Sequence, residues 1–335
     1  MRILVTGGAG YIGSHAARHF MEKGHEVWAY DNLVYGHRSA APAGRLITSD
    51  LADFGTLDAV LAEKKIEAIV HFAAFCYVGE SVTDPAKYYR NNTAVALGLL
   101  ETAQRRGIKR FVFSSTCATY GDVASVPIRE DFPQQPINPY GRSKLMVEWA
   151  LADYAAAYGM GYAALRYFNA SGAHPSGEIG EDHEPETHLL PLVLQVALGQ
   201  RANIKIFGDD YPTPDGTCIR DYIHVEDLAS AHLLALEKLE AGSALKMNLG
   251  TGRGYSVRQA IDLCAEVTGK PIATEIAPRR PGDPPELVAD ASLARRELGW
   301  TPRYADLREI VATAWNWHSR HPRGYDDRGG KKGDA

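Results

Sequence analysis

An apolar run at residues 2–6 leads straight into Gly7-Gly8-Ala9-Gly10-Tyr11-Ile12-Gly13, and a helical pattern follows over 12–23. Strand, glycine turn and helix in that order make the first half of a βαβ unit. The small residues let backbone approach a pyrophosphate, and the helix N-terminus supplies oriented N–H groups. The spacing here is G-x-x-G-x-x-G, and it assigns Gly7, Gly10, Tyr11, Ile12 and Gly13 to a dinucleotide. A second apolar run at 26–30 ends at Asp31. A carboxylate at that position accepts hydrogen bonds from a ribose and repels a 2′-phosphate, which favours NAD over NADP. Asp50, beyond a third run at 45–48, is placed to meet the adenine edge.

The alternation continues. Further strands are expected at 68–74, 110–115 and 162–168, with helices at 53–64, 84–106 and 140–158. Repeated βαβ units build a parallel sheet covered on both faces, so the fold class is α/β, a Rossmann-like doubly wound sheet. After residue 168 the rhythm breaks. Residues 172–191, 211–216 and 278–285 are rich in loop formers, and a smaller α/β substrate-binding lobe is expected there. A helix at 224–239 and a strand at 245–249 return to the first sheet. The division expected is 1–170 (with 217–250) for the cofactor, 171–325 for the substrate, and 326–335 as a flexible tail.

Of the 335 residues, 45% are hydrophobic and the formal net charge is −5. No global positive field exists to attract nucleic acid or an anionic membrane. No apolar run is long enough to span a bilayer, and the first strand begins too early to leave room for a signal peptide. Cys76, Cys117, Cys218 and Cys264 have neither metal-ligand nor disulfide spacing, which fits a reducing cytoplasm.

The fifth strand ends in Ser114-Ser115-Thr116-Cys117-Ala118-Thr119-Tyr120-Gly121, and strand C-termini line the ligand crevice of an open parallel sheet. The next helix carries Tyr140 and Lys144, which share a face at i, i+4. An ammonium beside a phenol lowers the phenol's pKa and makes it a usable base. A hydroxyl, a phenolate and an ammonium beside a dinucleotide suit removal of an alcohol proton coupled to hydride transfer.

These motifs resemble the extended short-chain dehydrogenase/reductases, and among them the UDP-sugar 4-epimerases. The resemblance spans residues 1 to 325. It is carried by the glycine turn, Asp31-Asn32-Leu33, His71-Phe72-Ala73-Ala74, Val78-Gly79-Glu80-Ser81, Tyr88-Tyr89-Arg90-Asn91-Asn92, Leu165-Arg166-Tyr167-Phe168-Asn169, Gly172-Ala173-His174-Pro175, Ile206-Phe207-Gly208 and Asn248-Leu249-Gly250. The runs 216–227, 277–283 and 290–292 match as well. The resemblance implies interconversion of UDP-glucose and UDP-galactose by transient oxidation at sugar C4. It implies Tyr140 as the base, Lys144 as the anchor of the nicotinamide ribose, and Thr116 as the bridge to the sugar oxygen. Tightly bound NAD would be held also by Asn32, Leu51, Phe72, Ala73, Ala74, Asn91 and Phe168. The UDP-sugar would be held by Asn169, His188, Leu189, Phe207, Arg220, Arg280 and Asp283. The two arginines suit a diphosphate.

Cys76 stands where many relatives have a cofactor-contacting lysine. Leu287 is intermediate between the large aromatics and the small residues that set sugar range in the family, so UDP-glucose/UDP-galactose, N-acetylated, pentose and uronic sugars stay open. Cys117 and Ala118 replace the Asp-Glu pair that related 4,6-dehydratases carry, which disfavours elimination. Regulators on this fold that only sense NAD typically lack the tyrosine–lysine pair. A homodimer is expected through the helices at 84–106 and 140–158. On the second, Val147, Leu151, Tyr154 and Tyr158 form one apolar stripe, and Leu145, Trp149, Ala152 and Ala156 another.

Overall fold

The structure, a computed structural model, describes residues 1–280 and 282–327. The first half runs β1 (Arg2–Thr6), α1 (Tyr11–Glu22), β2 (Glu26–Asp31), β3 (Leu46–Thr48), α2 (Phe54–Glu63), β4 (Ala68–His71), α3 (Val78–Thr83), α4 (Pro85–Tyr88), α5 (Val95–Arg105), β5 (Arg110–Thr116), α6 (Pro139–Tyr158) and β6 (Gly161–Tyr167). There follow β7 (Asn169–Ser171), α7 (Leu189–Ala197), β8 (Ile204–Phe207), β9 (Ile219–His224), α8 (Val225–Lys238), β10 (Ala244–Leu249), β11 (Gly254–Ser256), α9 (Val257–Thr268), β12 (Thr274–Ala277), β13 (Glu286–Leu287), α10 (Ser292–Leu298) and α11 (Leu307–Arg320).

Seven strands form one sheet in the order β10-β6-β5-β4-β1-β2-β3, and every pairing is parallel. Side chains alternate between its faces. Ile3, Val5, Val70 and Val112 pack with Phe20 of α1, Leu228 of α8 and Trp300. Leu4, Ile69 and Phe111 pack with Leu57, Leu99 and Val147 on the opposite side. Burial on both faces explains why these strands read as continuous apolar runs. Strand order reverses between β1 and β4. The crevice at that switch point, outside the strand C-termini, is where such sheets take ligands.

The second lobe holds β7, β9, β11 and β13 in one small sheet and the pair β8–β12. Its own core joins Leu194, Ile261 and Ile310 from α7, α9 and α11. None of these strands is among those expected from the sequence pattern.

Four expectations are corrected. The fourth strand ends at His71, not residue 74, because Phe72 and Ala73 both donate their N–H groups to Thr6 O at 3.0 and 3.1 Å and turn the chain out of the ladder. The helix expected at 84–106 starts at Pro85, capped by Asp84, and passes through a π-helical turn at Tyr89–Ala94. That turn presents Asn92, whose Oδ1 accepts from Phe75 N and whose Nδ2 donates to Phe75 O, each at 2.9 Å. The two stripes of α6 do not divide as expected. Leu145 is buried, while Trp149 is 60% exposed and Met146 and Tyr158 are also at the surface. Residues 326–327 of the expected tail are tied down, since Asp327 Oδ1 lies 2.9 Å from His37 Nδ1; the rest of that tail, 328–335, lies outside the described residues. Among the described residues no helix is long and apolar enough to cross a membrane.

Candidate active site

A cavity of about 1190 Å³ opens at the C-terminal ends of β1, β2, β4, β5 and β6 and is closed on its far side by the second lobe. The residues expected for cofactor, catalysis and sugar from the sequence all line it.

One wall is the glycine turn. Gly7 has φ +70°, and a Cβ there would lie 2.7 Å from Ala73 N. A Cβ on Gly13 would lie 2.0 Å from Gly7 O, so the turn closes only with glycine at that position. Gly10 starts α1 without a side-chain cap, so no side chain competes for the first amides of that helix, a ready anion site. Asp31 accepts from Ala9 N at 3.0 Å and Leu33 N at 2.8 Å, which fixes its carboxylate at the cavity edge. Beside it Asn32 Nδ2 donates to Asp50 Oδ2 at 2.8 Å, with Leu51 adjoining. Phe72, Ala73, Ala74 and Asn91 continue this wall. A backbone cradle that a methyl group would fill, a fixed acid and an uncapped helix fit a dinucleotide. Tyr11 does a second job. Its hydroxyl donates to Gly172 O at 2.6 Å and fastens α1 to the other lobe.

The floor holds Thr116, Tyr140 and Lys144. Asn138 caps α6 through Gly141 N at 2.8 Å. A Cβ on Gly141 would stand 2.4 Å from Ala118 O, so glycine lets the helix start abut the end of β5. That contact brings Tyr140 beside Thr116, whose hydroxyl favours the ionised phenol. Lys144 Nζ donates to Ser114 O at 3.0 Å and lies 5.0 Å above the Phe113 ring. Burial pushes the Tyr140 phenol well up, against the Thr116 hydroxyl, which favours its ionised form. Burial likewise brings the Lys144 ammonium down to about 8. Burial is the largest influence on the Tyr140 phenol, and Lys144 is not among the leading charges acting on it. Lys144 stays an ammonium at neutral pH and is engaged by a strand carbonyl. Cys76 and Cys117 also line the cavity with thiols raised by burial, Cys117 to about 12.

The far wall is cationic. Arg220 on β9 pairs with Asp283 through Nη2 and donates from Nη1 to Ile219 O at 2.8 Å. The Arg280 guanidinium lies 3.9 Å above the Phe207 ring. Phe168, Asn169, His188, Leu189 and Leu287 also line the cavity.

Residues 3–250 match the model of the NAD dependent epimerase/dehydratase family. The chain belongs to that family. Curated relatives extend the match to nearly the whole chain. UDP-glucose 4-epimerase of Corynebacterium glutamicum is 54% identical over 95% of this chain and 96% of its own length. That of Lacticaseibacillus casei is 51% identical over 98% of this chain and 100% of its own. A crystal structure of UDP-glucose 4-epimerase from Brucella ovis in complex with NAD is 50% identical, with a TM-score of 0.91 over 94% of this chain and 98% of that one. Family membership makes NAD the cofactor, and the glycine turn, Asp31 and the uncapped start of α1 are the features that fit it.

Sequence reasoning missed a second polar group on the cavity wall. Glu181, His183 and Glu186 line it beside His188. Their run had read only as a polar loop, although its Glu-x-His-x-x-Glu-x-His spacing was legible. Also missed was the buried, bidentate ion pair of Arg166 and Glu148, to which Ser115, next to Thr116, also donates. Each half is an ordinary helix or strand residue until the fold joins them.

Proposed function

We propose that this chain is an NAD-dependent isomerase that interconverts UDP-glucose and UDP-galactose. The observation that carries the reading is the Thr116, Tyr140 and Lys144 floor between a dinucleotide cradle and a wall bearing Arg220 and Arg280. Bound NAD⁺ supplies the hydride acceptor and donor and a fixed positive charge within the cavity. Tyr140 takes the proton of the C4 hydroxyl and returns it after the sugar has presented its other face. Thr116 holds the same oxygen and stabilises the phenolate by hydrogen bonding. Lys144, fixed by Ser114 O, anchors the nicotinamide ribose. Because burial raises the Tyr140 phenol, proton loss from it depends on charges gathered in the closed site and not on Lys144 alone.

Arg220 and Arg280 bind the diphosphate, with Asp283 orienting Arg220. Asn169, His188, Leu189 and Phe207 hold the rest of the UDP-sugar, and Leu287 limits the room around the sugar. No carboxylate follows Thr116, since Cys117 and Ala118 occupy those positions, so the 4-keto sugar is re-reduced and not dehydrated.

The four free thiols support a reducing, cytoplasmic setting. Exposed Leu97, Met146 and Trp149 on α5 and α6 support a homodimer formed by pairing these helices across a two-fold axis.

The test uses purified protein and UDP-galactose with no added cofactor. UDP-glucose should appear, and Tyr140→Phe should keep NAD bound while losing turnover by about 10²–10⁴-fold, the usual weight of a general base. Turnover within a few-fold of the unmodified protein would remove Tyr140 from the role.

A further inference from the structure

The loop that enters α7 carries Glu181, His183, Glu186 and His188, and one ligating atom from each lies within 4.8 Å of all the others. His183 Nδ1 is 3.3 Å from Glu181 Oε1 and 3.6 Å from Glu186 Oε2. His188 Nδ1 is 3.5 Å from Glu186 Oε1 and 2.6 Å from Glu181 Oε1. A tetrahedral zinc ion with metal–ligand bonds of ~2.0–2.2 Å requires ligand atoms ~3.3–3.6 Å apart. With Oε2 as the Glu186 ligand, the separations of His183 Nδ1 from Glu181 Oε1 and from Glu186 Oε2 already have that length, while the 3.5 Å from His188 is to the other Glu186 oxygen. The His188–Glu181 pair is a direct imidazole–carboxylate contact that must lengthen by up to about an ångström.

The loop backbone is fastened to its neighbours, and the Glu186 carboxylate is held by two amides. Trp317 Nε1 donates to Glu181 O at 3.2 Å, and Tyr77 OH to Pro185 O at 2.9 Å. Glu186 Oε1 accepts from Thr187 N at 2.7 Å and His188 N at 2.8 Å. The His183 ring meets the edges of Tyr11 and Tyr77 at centroid distances of 6.2 and 6.5 Å. The Glu181 and Glu186 carboxylates are almost wholly buried, with side-chain exposures of 4% and 6%. Two carboxylates converging with two imidazoles in a buried wall form a donor set of nitrogen and oxygen that suits a borderline-soft divalent ion better than calcium or magnesium.

We propose that Glu181, His183, Glu186 and His188 bind one divalent transition-metal ion of the zinc class. The ion uses Nδ1 of both histidines and one oxygen of each glutamate. It pins the loop at 181–188 between the start of α1 and the start of α7, on the cavity wall. The site takes no part in the redox step; His188 gives Nδ1 to the ion and keeps Nε2 for the UDP-sugar.

The test is metal loading of the tag-free, NAD-containing protein. After incubation with zinc and desalting, elemental analysis should find one zinc per chain. Cobalt in its place should give the visible absorption of a four-coordinate ion without a thiolate charge-transfer band. His183→Gln and Glu186→Gln, each checked for folding by circular dichroism and for retained NAD, should lose at least nine-tenths of the bound metal. Absence of zinc from the desalted parent protein would overturn the proposal. So would undiminished binding in both folded variants, or a thiolate band, which would shift the ligands to Cys76.

Discussion

The Arg166–Glu148 pair gives the sharpest test of what holds the catalytic floor in place. Arg166 Nε and Nη2 donate to the two Glu148 oxygens at 3.0 and 2.6 Å, and Nη1 donates to Tyr120 OH at 2.8 Å. Tyr120 OH in turn donates to Asn248 Oδ1 at 2.8 Å, and Asn248 Nδ2 donates to Ile128 O at 2.9 Å. Ser115, next to Thr116, donates to Glu148 as well. The network therefore joins β5, β6, α6 and β10, and both charged side chains are 2% exposed. Glu148→Gln keeps the shape but leaves a guanidinium buried without its counter-charge. Breaking one partner of a buried pair costs about 3–5 kcal/mol. Replacing both partners, as in Glu148→Leu with Arg166→Met, removes the uncompensated charge, so its loss should fall short of the summed single losses by roughly 1–3 kcal/mol. Urea unfolding of the parent, Glu148→Gln, the singles Glu148→Leu and Arg166→Met, and the double variant measures this. A Glu148→Gln loss below about 1 kcal/mol, or strict additivity, would refute the reasoning.

Two further outcomes follow from the site and its surroundings. Gly13→Ala places a methyl group 2.0 Å from Gly7 O. The turn must open, and NAD affinity should fall by more than about tenfold, or ~1.4 kcal/mol, measured as NAD released on denaturation against protein; full occupancy would contradict the cradle. His232 is fully buried, and burial lowers its pKa from 6.5 to about 4. The unfolded chain then binds a proton below pH 6.5 that the folded chain refuses, so this contribution is intact above 6.5 and lost as pH falls towards 4. Between pH 7.5 and 5.5 the stability advantage of the parent over His232→Gln should shrink by about 1.3 kcal/mol. An unchanged or widening gap in paired urea titrations would count against it.

The first sheet was legible because buried parallel strands carry continuous apolar runs, as at residues 68–70 and 111–113, and glycines punctuate the turn that must stay open. The tyrosine–lysine pair was legible through helical spacing, although its electrostatics were not. Spacing reports that Lys144 shares a face with Tyr140. It does not report that Ser114 O takes the ammonium or that burial outweighs charge. Arg220 and Asp283 were separately legible through resemblance, yet their mutual pairing needed β9 and the 282–287 segment brought together. The π-helical turn at Tyr89–Ala94 had no signature, since Asn92 sets it through a contact with Phe75, which is remote in sequence.

The central claim is that one cavity removes and restores hydrogen at the same sugar carbon. It is tested most directly with UDP-galactose deuterated at C4, in ordinary water and with no added cofactor. The account predicts UDP-glucose with the deuterium retained at C4. Deuterium lost to solvent, or no conversion by folded protein containing NAD, would contradict it.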